Sequence, residues 1–317
     1  VYISHRLNEV FELADRVTVL RDGQYIDTQI VSETSERDLI ASMVGRTIDN
    51  LYPKLPARIG ETVLQVRDLV RYPYTRGVSF EVRAGEVVGL AGLVGSGRSE
   101  LAQVIFGILP AQSGEIRIDG RQVRIEHPGR AIAHGIAYVP EDRGLQGLVK
   151  AMTLRENVSM AVLNAISSGS FINYHKEQTI AKQAIDQFAI RAYGTEQIVN
   201  KLSGGNQQKV VIGKWLASEP RILIMDEPTH GVDVGAKSEI HRLMSELAAD
   251  RGLAILMISS ELPEILGMSD RILVMRSGQI VAEFSREEAT QEKIGAAMMS
   301  ASGYGEIKHE PSEITVV

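Results

Sequence analysis

The order of apolar and polar positions along this chain changes period several times. Residues 62–70 and 78–82 alternate apolar with polar side chains, the period of a half-buried strand. Residues 87–91 are almost wholly apolar and run into a glycine-rich turn, which predicts a strand covered on both faces. The pattern then turns helical over 98–106. Within 115–125, Asp119-Gly120 separates two alternating runs, a strong hairpin signal. Residues 135–139 predict another strand, and 153–190 read as helical. Short apolar runs at 221–225, 254–258 and 272–275 predict further strands, separated by helices over 235–249 and 262–268. Strands alternating with helices imply an α/β core with a mainly parallel sheet, and the helical stretch in the middle looks like an inserted subdomain.

The chain also repeats itself. Residues 2–24 align without gaps to residues 257–279, and 10 of the 23 positions are identical, Asp15/Asp270, Arg16/Arg271, Arg21/Arg276, Gly23/Gly278 and Gln24/Gln279 among them. Two unrelated strand–helix–strand units would share apolar positions but not so readily the Asp-Arg and Gly-Gln pairs. A period of 255 is too long for a solenoid and suits a duplicated domain. The chain then begins near the end of a first copy and holds the whole of a second. The expected organisation is 1–47 for the end of the first domain, 48–61 for a linker marked by Pro53, Pro56 and Gly60, and 62–300 for the second domain. Residues 301–317 read as a polar tail. The opening Val1, with no initiator Met and no basic leader, fits a fragment or a lost start.

Bulk properties narrow the classes. The 317 residues carry a net charge of −6, which argues against a nucleic-acid partner. No cysteine is present, so disulfides and thiolate metal sites are excluded. No apolar run approaches the roughly 18 residues that cross a bilayer, so any work at a membrane goes through a partner protein.

Gly92-Leu-Val-Gly95-Ser96-Gly97-Arg98-Ser99 follows a predicted strand and opens a predicted helix. Glycines allow successive amides to turn toward phosphates, and the helix start adds partial positive charge. Ser99 would offer a hydroxyl to Mg²⁺. The alternative is a glycine-rich turn packed for steric reasons alone. Arg98 stands where the usual motif has Lys, and a planar fork does not replace a compact ammonium. Binding is expected to survive and hydrolysis geometry to suffer, more so with Glu100 adding negative charge beside the loop. The strand 222–225 delivers Asp226 and Glu227 at its end. Asp226 would hold Mg²⁺, and Glu227 would position and deprotonate an attacking water. Leu202-Ser203-Gly204-Gly205-Asn206-Gln207 precedes an apolar-periodic stretch, with Ser203 as a candidate helix cap and exposed glycine amides as an anion site.

Taken in this order, the phosphate loop, LSGGNQQ and the apolar-DEPT strand resemble the ATP-binding-cassette family. Tyr138-Val-Pro-Glu-Asp-Arg143, DEPTHGVDVGAK at 226–237 and SSELPEILGMSDRI at 259–272 are most similar to the double-cassette ATPases of ribose-type monosaccharide importers, over about residues 1–300. The resemblance implies a P-loop NTPase core with an antiparallel β-subdomain and an inserted helical subdomain at about 143–215. It implies ATP and Mg²⁺ as ligands, with two cassettes closing head to tail. Ser203, Gly204, Gly205 and Gln207 would then face ATP held by a first cassette absent from this chain, and Asp233 would lie in the loop crossing between cassettes. His5 matches the family's switch histidine, whose place in the second copy is taken by Ser260. Glu141 replaces its γ-phosphate-sensing glutamine near Mg²⁺. Tyr72 or Tyr74 could stack on adenine. Expected partners are an integral-membrane permease, meeting about 143–162 through Met152, Leu154, Val158, Met160 and Val162, and, indirectly, a periplasmic or extracellular solute-binding protein. The expected place is the cytoplasmic face of the membrane. A soluble cassette ATPase of translation or repair, and a regulatory module without turnover, are the other classes; both phosphate-loop lysines and a charged linker or coiled-coil insertion usually mark the first of these.

Overall fold

A computed structural model describes residues 1–3, 7–21, 23–44 and 51–299. His5 and the 301–317 tail lie outside the described residues, as do positions 48–50 of the expected linker.

The chain opens with α1 (Leu7–Leu13), the hairpin β1 (Arg16–Arg21) and β2 (Gln24–Ile30), and α2 (Glu36–Val44). These carry a small core in which Val19 and Leu39 meet Val234. The segment 51–60 has no helix or strand, yet it is not free. Lys54 pairs with Asp270 at 2.7 Å, the Leu55 amide donates to Ser245 Oγ at 2.6 Å, and Tyr52 stacks on His241 with centroids 5.2 Å apart. Gly267 makes room for Tyr52, since a Cβ there would come within 2.4 Å of its ring.

Two sheets follow. The strands β3 (Thr62–Arg71), β4 (Thr75–Arg83), β6 (Ser113–Ile118) and β7 (Arg121–Val123) make an antiparallel sheet in the order β4-β3-β6-β7. Asp119 and Gly120 both take positive φ, 50° and 73°, in the predicted tight turn between β6 and β7. Between β4 and β6 the chain runs through β5 (Val87–Gly92) and α3 (Arg98–Phe106); after β7 it passes through α4 (Pro128–Ala133) to β8 (Ile136–Val139).

The expected helical stretch at 153–190 is interrupted. Helices α5 (Leu154–Ser159) and α6 (Leu163–Ile166) are followed by a two-residue pair, β9 (Ser167–Ser168) with β10 (Phe171–Ile172), before α7 (Tyr174–Gln187). Gly169 at φ 60° turns the chain there, a local signal that helical periodicity on either side masks. Then come α8 (Gly204–Leu216), β11 (Ile222–Asp226), α9 (Val234–Arg251), β12 (Ala254–Ile258), α10 (Leu262–Met268), β13 (Arg271–Arg276), β14 (Gln279–Ser285) and α11 (Gln291–Met299).

The second sheet has the order β14-β13-β5-β12-β11-β8, parallel except for β14. Its inner strands are covered on both sides, which is why they read as continuous apolar runs. Ile222, Ile224, Leu256 and Ile258 face the core shared with α3 and the antiparallel sheet. Leu223, Met225, Ile255 and Met257 face the helical side. The carboxyl ends of β5, β8, β11 and β12 therefore open on one edge, the place where such sheets bind ligands. No helix among the described residues is long and apolar enough to cross a membrane.

Candidate functional site

The loop 93–97 leaves β5 at that edge and enters α3 through two left-handed glycines, Gly95 at φ 79° and Gly97 at φ 101°. Each glycine has its own reason. A Cβ on Gly92 would come within 2.5 Å of the Met275 carbonyl, and one on Gly97 within 2.4 Å of the Tyr74 carbonyl. A Cβ on Gly95 would meet nothing within 4 Å, so its side of the loop is open. Leu93 and Val94 are exposed at the crest. Ser96 Oγ is buried without a hydrogen-bond partner. An open crest with a spare buried hydroxyl fits a phosphate chain lying on the loop.

One residue along, Ser99 Oγ donates to Asp226 Oδ1 at 3.1 Å, and Tyr138 Oη donates to Asp226 Oδ2 at 3.1 Å. Asp226 is 1% exposed, and burial pushes its carboxyl up to about 6 against the pull of those two hydrogen bonds. Among the described residues no group of three or more His, Cys, Asp or Glu could hold a metal. A hydroxyl beside a carboxylate reluctant to ionise nevertheless suits a hydrated divalent cation arriving with phosphates.

Glu227 takes φ 46°, a left-handed conformation that a non-glycine residue adopts at a cost and that clusters at working sites. Its amide donates to the Ile258 carbonyl at 2.9 Å, and Ser260 Oγ donates to its Oε2 at 3.1 Å. Burial pushes its carboxyl up to about 7, with Arg98 and Ser260 opposing. A carboxyl group of that character changes protonation near neutrality.

Arg98 is buried under the loop, and its Nη1 donates to the Ser259 carbonyl at 2.6 Å. Burial lowers its pKa, while Glu227, Asp226, Glu141 and Glu100 draw it back up in that order. The guanidinium is thus anchored to the end of β12. Glu141, exposed just beyond β8, adds repulsion at Asp226, and Glu100 lies in the first turn of α3. Tyr72 and Tyr74 are exposed, with the Arg76 guanidinium 5.3 Å above the Tyr72 ring.

The LSGGNQQ segment lies apart from this cluster. Ser203 sits at the α8 cap position, but its Oγ makes no cap bond and accepts instead from Asn206 Nδ2 at 2.8 Å. The expected capping is corrected on this point: Asn206, three residues on, competes for the hydroxyl. Gly205 is buried against Ala236, where a Cβ would come within 2.5 Å. Gln207 Nε2 turns inward to the Val199 and Leu202 carbonyls, both at 3.2 Å. Asp233 caps α9 through the Ala236 amide at 2.9 Å. Ser203, Gly205, Asp233 and Ala236 line a cleft of about 420 Å³ together with Leu20 and Met43 of the opening unit. Of the apolar residues expected to meet a permease, Leu154 and Val158 are wholly buried and belong to the core, because α5 packs on α7 and α8. Leu145, Val149, Met152 and Leu163 are the exposed apolar side chains in that neighbourhood.

Sequence reasoning gave no role to Lys214 and quoted Tyr138 and Arg143 only as the ends of a segment that carries the resemblance. The reach of Tyr138 to Asp226 depends on β8 pairing with β11, Tyr138 opposite Ile224, which no local pattern marks. For Lys214 no local pattern marks the burial.

A strand-to-helix glycine loop after β5, an acidic pair at the end of β11 one strand beyond β12, and an antiparallel sheet packed over the same helix define a cassette-type nucleotide-binding domain. The ABC transporter family profile matches residues 75–230. The chain belongs to the ATP-binding-cassette family. It is 51% identical over 294 residues to the putative ribose/galactose/methyl galactoside import ATP-binding protein 1 of Rhizobium etli, covering 93% of this chain and 56% of that protein. It is 50% identical over 303 residues to the ribose import ATP-binding protein RbsA of Geobacillus kaustophilus, covering 96% and 60%. The chain thus spans less than two thirds of the length of these curated relatives. Among solved structures, a nucleotide-free ATP-binding cassette from an ABC transporter aligns with a TM-score of 0.63 at 27% identity, covering 76% of this chain and 96% of that one. Membership in this family implies that the cassette binds nucleotide.

Proposed function

We propose that this chain carries the second of two cassettes in an ATPase that drives import of a monosaccharide or similar small solute through an integral-membrane permease. In this reading 1–47 ends the first cassette, 48–61 joins the two, and 62–300 is the second. The protein works at the cytoplasmic face of the membrane, and a solute-binding protein on the other side selects the cargo.

The backbone of 92–99 would cradle the phosphates of ATP, with Tyr72 or Tyr74 against the adenine. Mg²⁺, when bound, would supply charge neutralisation between the phosphates. Ser99 and Asp226 are the side chains to hold it, with Glu141 nearby. Glu227 would orient and deprotonate the attacking water. Arg98, tied to the Ser259 carbonyl, leaves the loop without a free lysine ammonium, so this site binds ATP more than it turns it over. Ser203, Gly204, Gly205 and Asp233 would complete the first cassette's site, with Gln207 behind them and His5 as that site's switch histidine.

The observation that carries this reading is the cleft between the signature and the opening unit. By the 255-residue offset Leu20 corresponds to Met275, whose carbonyl backs Gly92 of the phosphate loop. The first copy thus offers the signature the strand that adjoins a phosphate loop in the second. A short joining segment and Arg98 favour this over a soluble cassette ATPase.

The test is ATP-dependent uptake of labelled ribose and galactose into vesicles holding the full-length protein and its permease. Uptake lost when the first cassette's phosphate-loop lysine is replaced, but only reduced with Arg98→Ala, is the expected result. Equal and complete loss in both variants would remove the asymmetry, and ATP turnover indifferent to a permease would remove the transport role.

A further inference from the structure

The loop after Glu141 is attached at both ends to the elements that, under the function proposed above, meet ATP across the cassette interface. Residues Arg143–Gly147 form one wide helical turn, capped by Asp142, whose Oδ1 accepts from the amides of Gly144 at 2.8 Å and Leu145 at 3.0 Å. At the start of the turn, Arg143 Nη1 donates to the His230 carbonyl at 2.7 Å and Nη2 to the Gly231 carbonyl at 3.0 Å. The same guanidinium roofs the start of α8. A Cβ on Gly204 would come within 2.7 Å of Nη2. Arg143 Nε is buried without a partner, so the two Nη arms carry the attachment. At the end of the turn, the buried Lys214 of α8 donates to the Gly147 carbonyl.

One side chain therefore ties its own loop to two segments far off in sequence, the 230–231 turn and the start of α8. Two N–H groups in a planar fork fix the direction between their acceptors, which a single ammonium cannot do. The acceptors are neutral carbonyls, so the contact is geometric rather than a charge pair.

We propose that Arg143 is a positioning residue that makes the loop carrying Glu141 and the 230–233 loop shift together, so that a nucleotide-dependent movement felt at Glu141 reaches Asp233 at the facing site.

The test uses the full-length two-cassette protein with its permease, carrying R143Q or R143K. ATP affinity is read first with a fluorescent ATP analogue. Failure of the unsubstituted protein to bind it would sink the transport reading itself, whatever Arg143 does. Given binding, R143Q is expected to lower kcat at least tenfold while KM and analogue affinity stay within twofold. R143K is expected to recover less than half, since one ammonium cannot span both carbonyls in that geometry. Hydrogen exchange is expected to rise together at 141–147 and 230–236 and to stay unchanged in β11. Unchanged kcat in R143Q, full recovery in R143K, or exchange rising at only one of the two loops would overturn the proposal. If R143Q does not fold, R143K with the exchange measurement decides it by the same criteria.

Discussion

The unit from α1 to α2 and the unit from α10 to α11 share element bounds at a constant offset of 255, and their hairpins share register and even the irregularity, at Val19/Leu20 and at Val274/Met275. Their burial differs sharply. In the second unit Ile272, Leu273, Val274 and Met275 are all at 0% exposure, because β13 pairs with β5 and is covered on both faces. In the first, β1 pairs with β2 alone, Leu20 is 67% exposed, and the core shrinks to a few side chains around Val19 and Leu39. Local sequence is thus enough to set strand, turn, bulge and helix, while burial depends on sheet partners supplied from elsewhere in the chain.

The sharpest way to break that comparison is a reciprocal swap. Thr18 corresponds to Leu273; its hydroxyl lies 3.0 Å from that of Thr28 on the hairpin surface. Leu273→Thr leaves a void and an unpaired hydroxyl in a dry core and should destabilise the second domain by about 4 kcal/mol. Thr18→Leu should change stability by less than about 0.5 kcal/mol. Urea unfolding of the chain reads both. Similar losses at the two positions would mean that the first unit is packed as tightly as the second.

A smaller contrast lies at the hairpin turns. Gly23 and Gly278 both take left-handed φ, 77° and 80°. A Cβ on Gly23 meets nothing, whereas one on Gly278 comes within 2.5 Å of the Tyr74 carbonyl. Gly23→Ala should cost about 1 kcal/mol from backbone strain alone. Gly278→Ala should cost about 2 kcal/mol or more, because a backbone carbonyl must give way. It should also weaken ATP-analogue binding, since the same Tyr74 carbonyl abuts Gly97. Equal costs with unchanged binding would uncouple the turn from the phosphate loop.

These cases show what was legible. The parallel strands were readable because two-sided burial leaves unbroken apolar runs, and the repeat was readable because Asp15, Arg16 and Gly23 recur with Asp270, Arg271 and Gly278. The positions of the glycine loop at 92–99 and of Asp226 and Glu227 at strand ends were readable because an apolar run stops just before each. The inward turn of Gln207, the anchoring of Arg98 on Ser259 and the fork of Arg143 were not, because each depends on which carbonyl a distant loop presents. Helical periodicity concealed the β9–β10 pair, since a two-residue pairing is too short to shift a window of apolar spacing.

The acidic pair lies at the end of β11, which has no counterpart in the first unit among the described residues, so its titration acts on the second copy. Asp226 and Glu227 are pushed up from ordinary values of 3.8 and 4.5 to about 6 and about 7. At these two groups the folded chain therefore holds more protons than the unfolded one between about pH 4 and 7, and their contribution to stability falls as pH rises through that window. In the ligand-free chain, Glu227→Gln should flatten the loss of Tm between pH 5 and 7, leaving the part due to Asp226. Thermal melting in a buffer series reads the slope. An unaltered slope would mean that Glu227 ionises freely in the folded state.

The smallest effect is expected at Ser260, which adjoins Glu227 and whose counterpart in the sequence of the first copy is His5. Ser260 Oγ already donates to Glu227 Oε2 at 3.1 Å, so the carboxylate is oriented without an imidazole. Arg98 meanwhile remains fixed to the Ser259 carbonyl next door, and Ser260→His does not release it. Turnover at the second site should therefore change by less than about twofold, under about 0.4 kcal/mol in the barrier. Pairing the change with Arg98→Lys should raise turnover further, because the compact ammonium is freed to reach phosphate oxygens. Steady-state hydrolysis by full-length protein, with the first cassette's phosphate loop disabled, isolates the site. A tenfold gain from Ser260→His alone would place the bottleneck at the missing imidazole, and the arginine would no longer explain the difference between the copies.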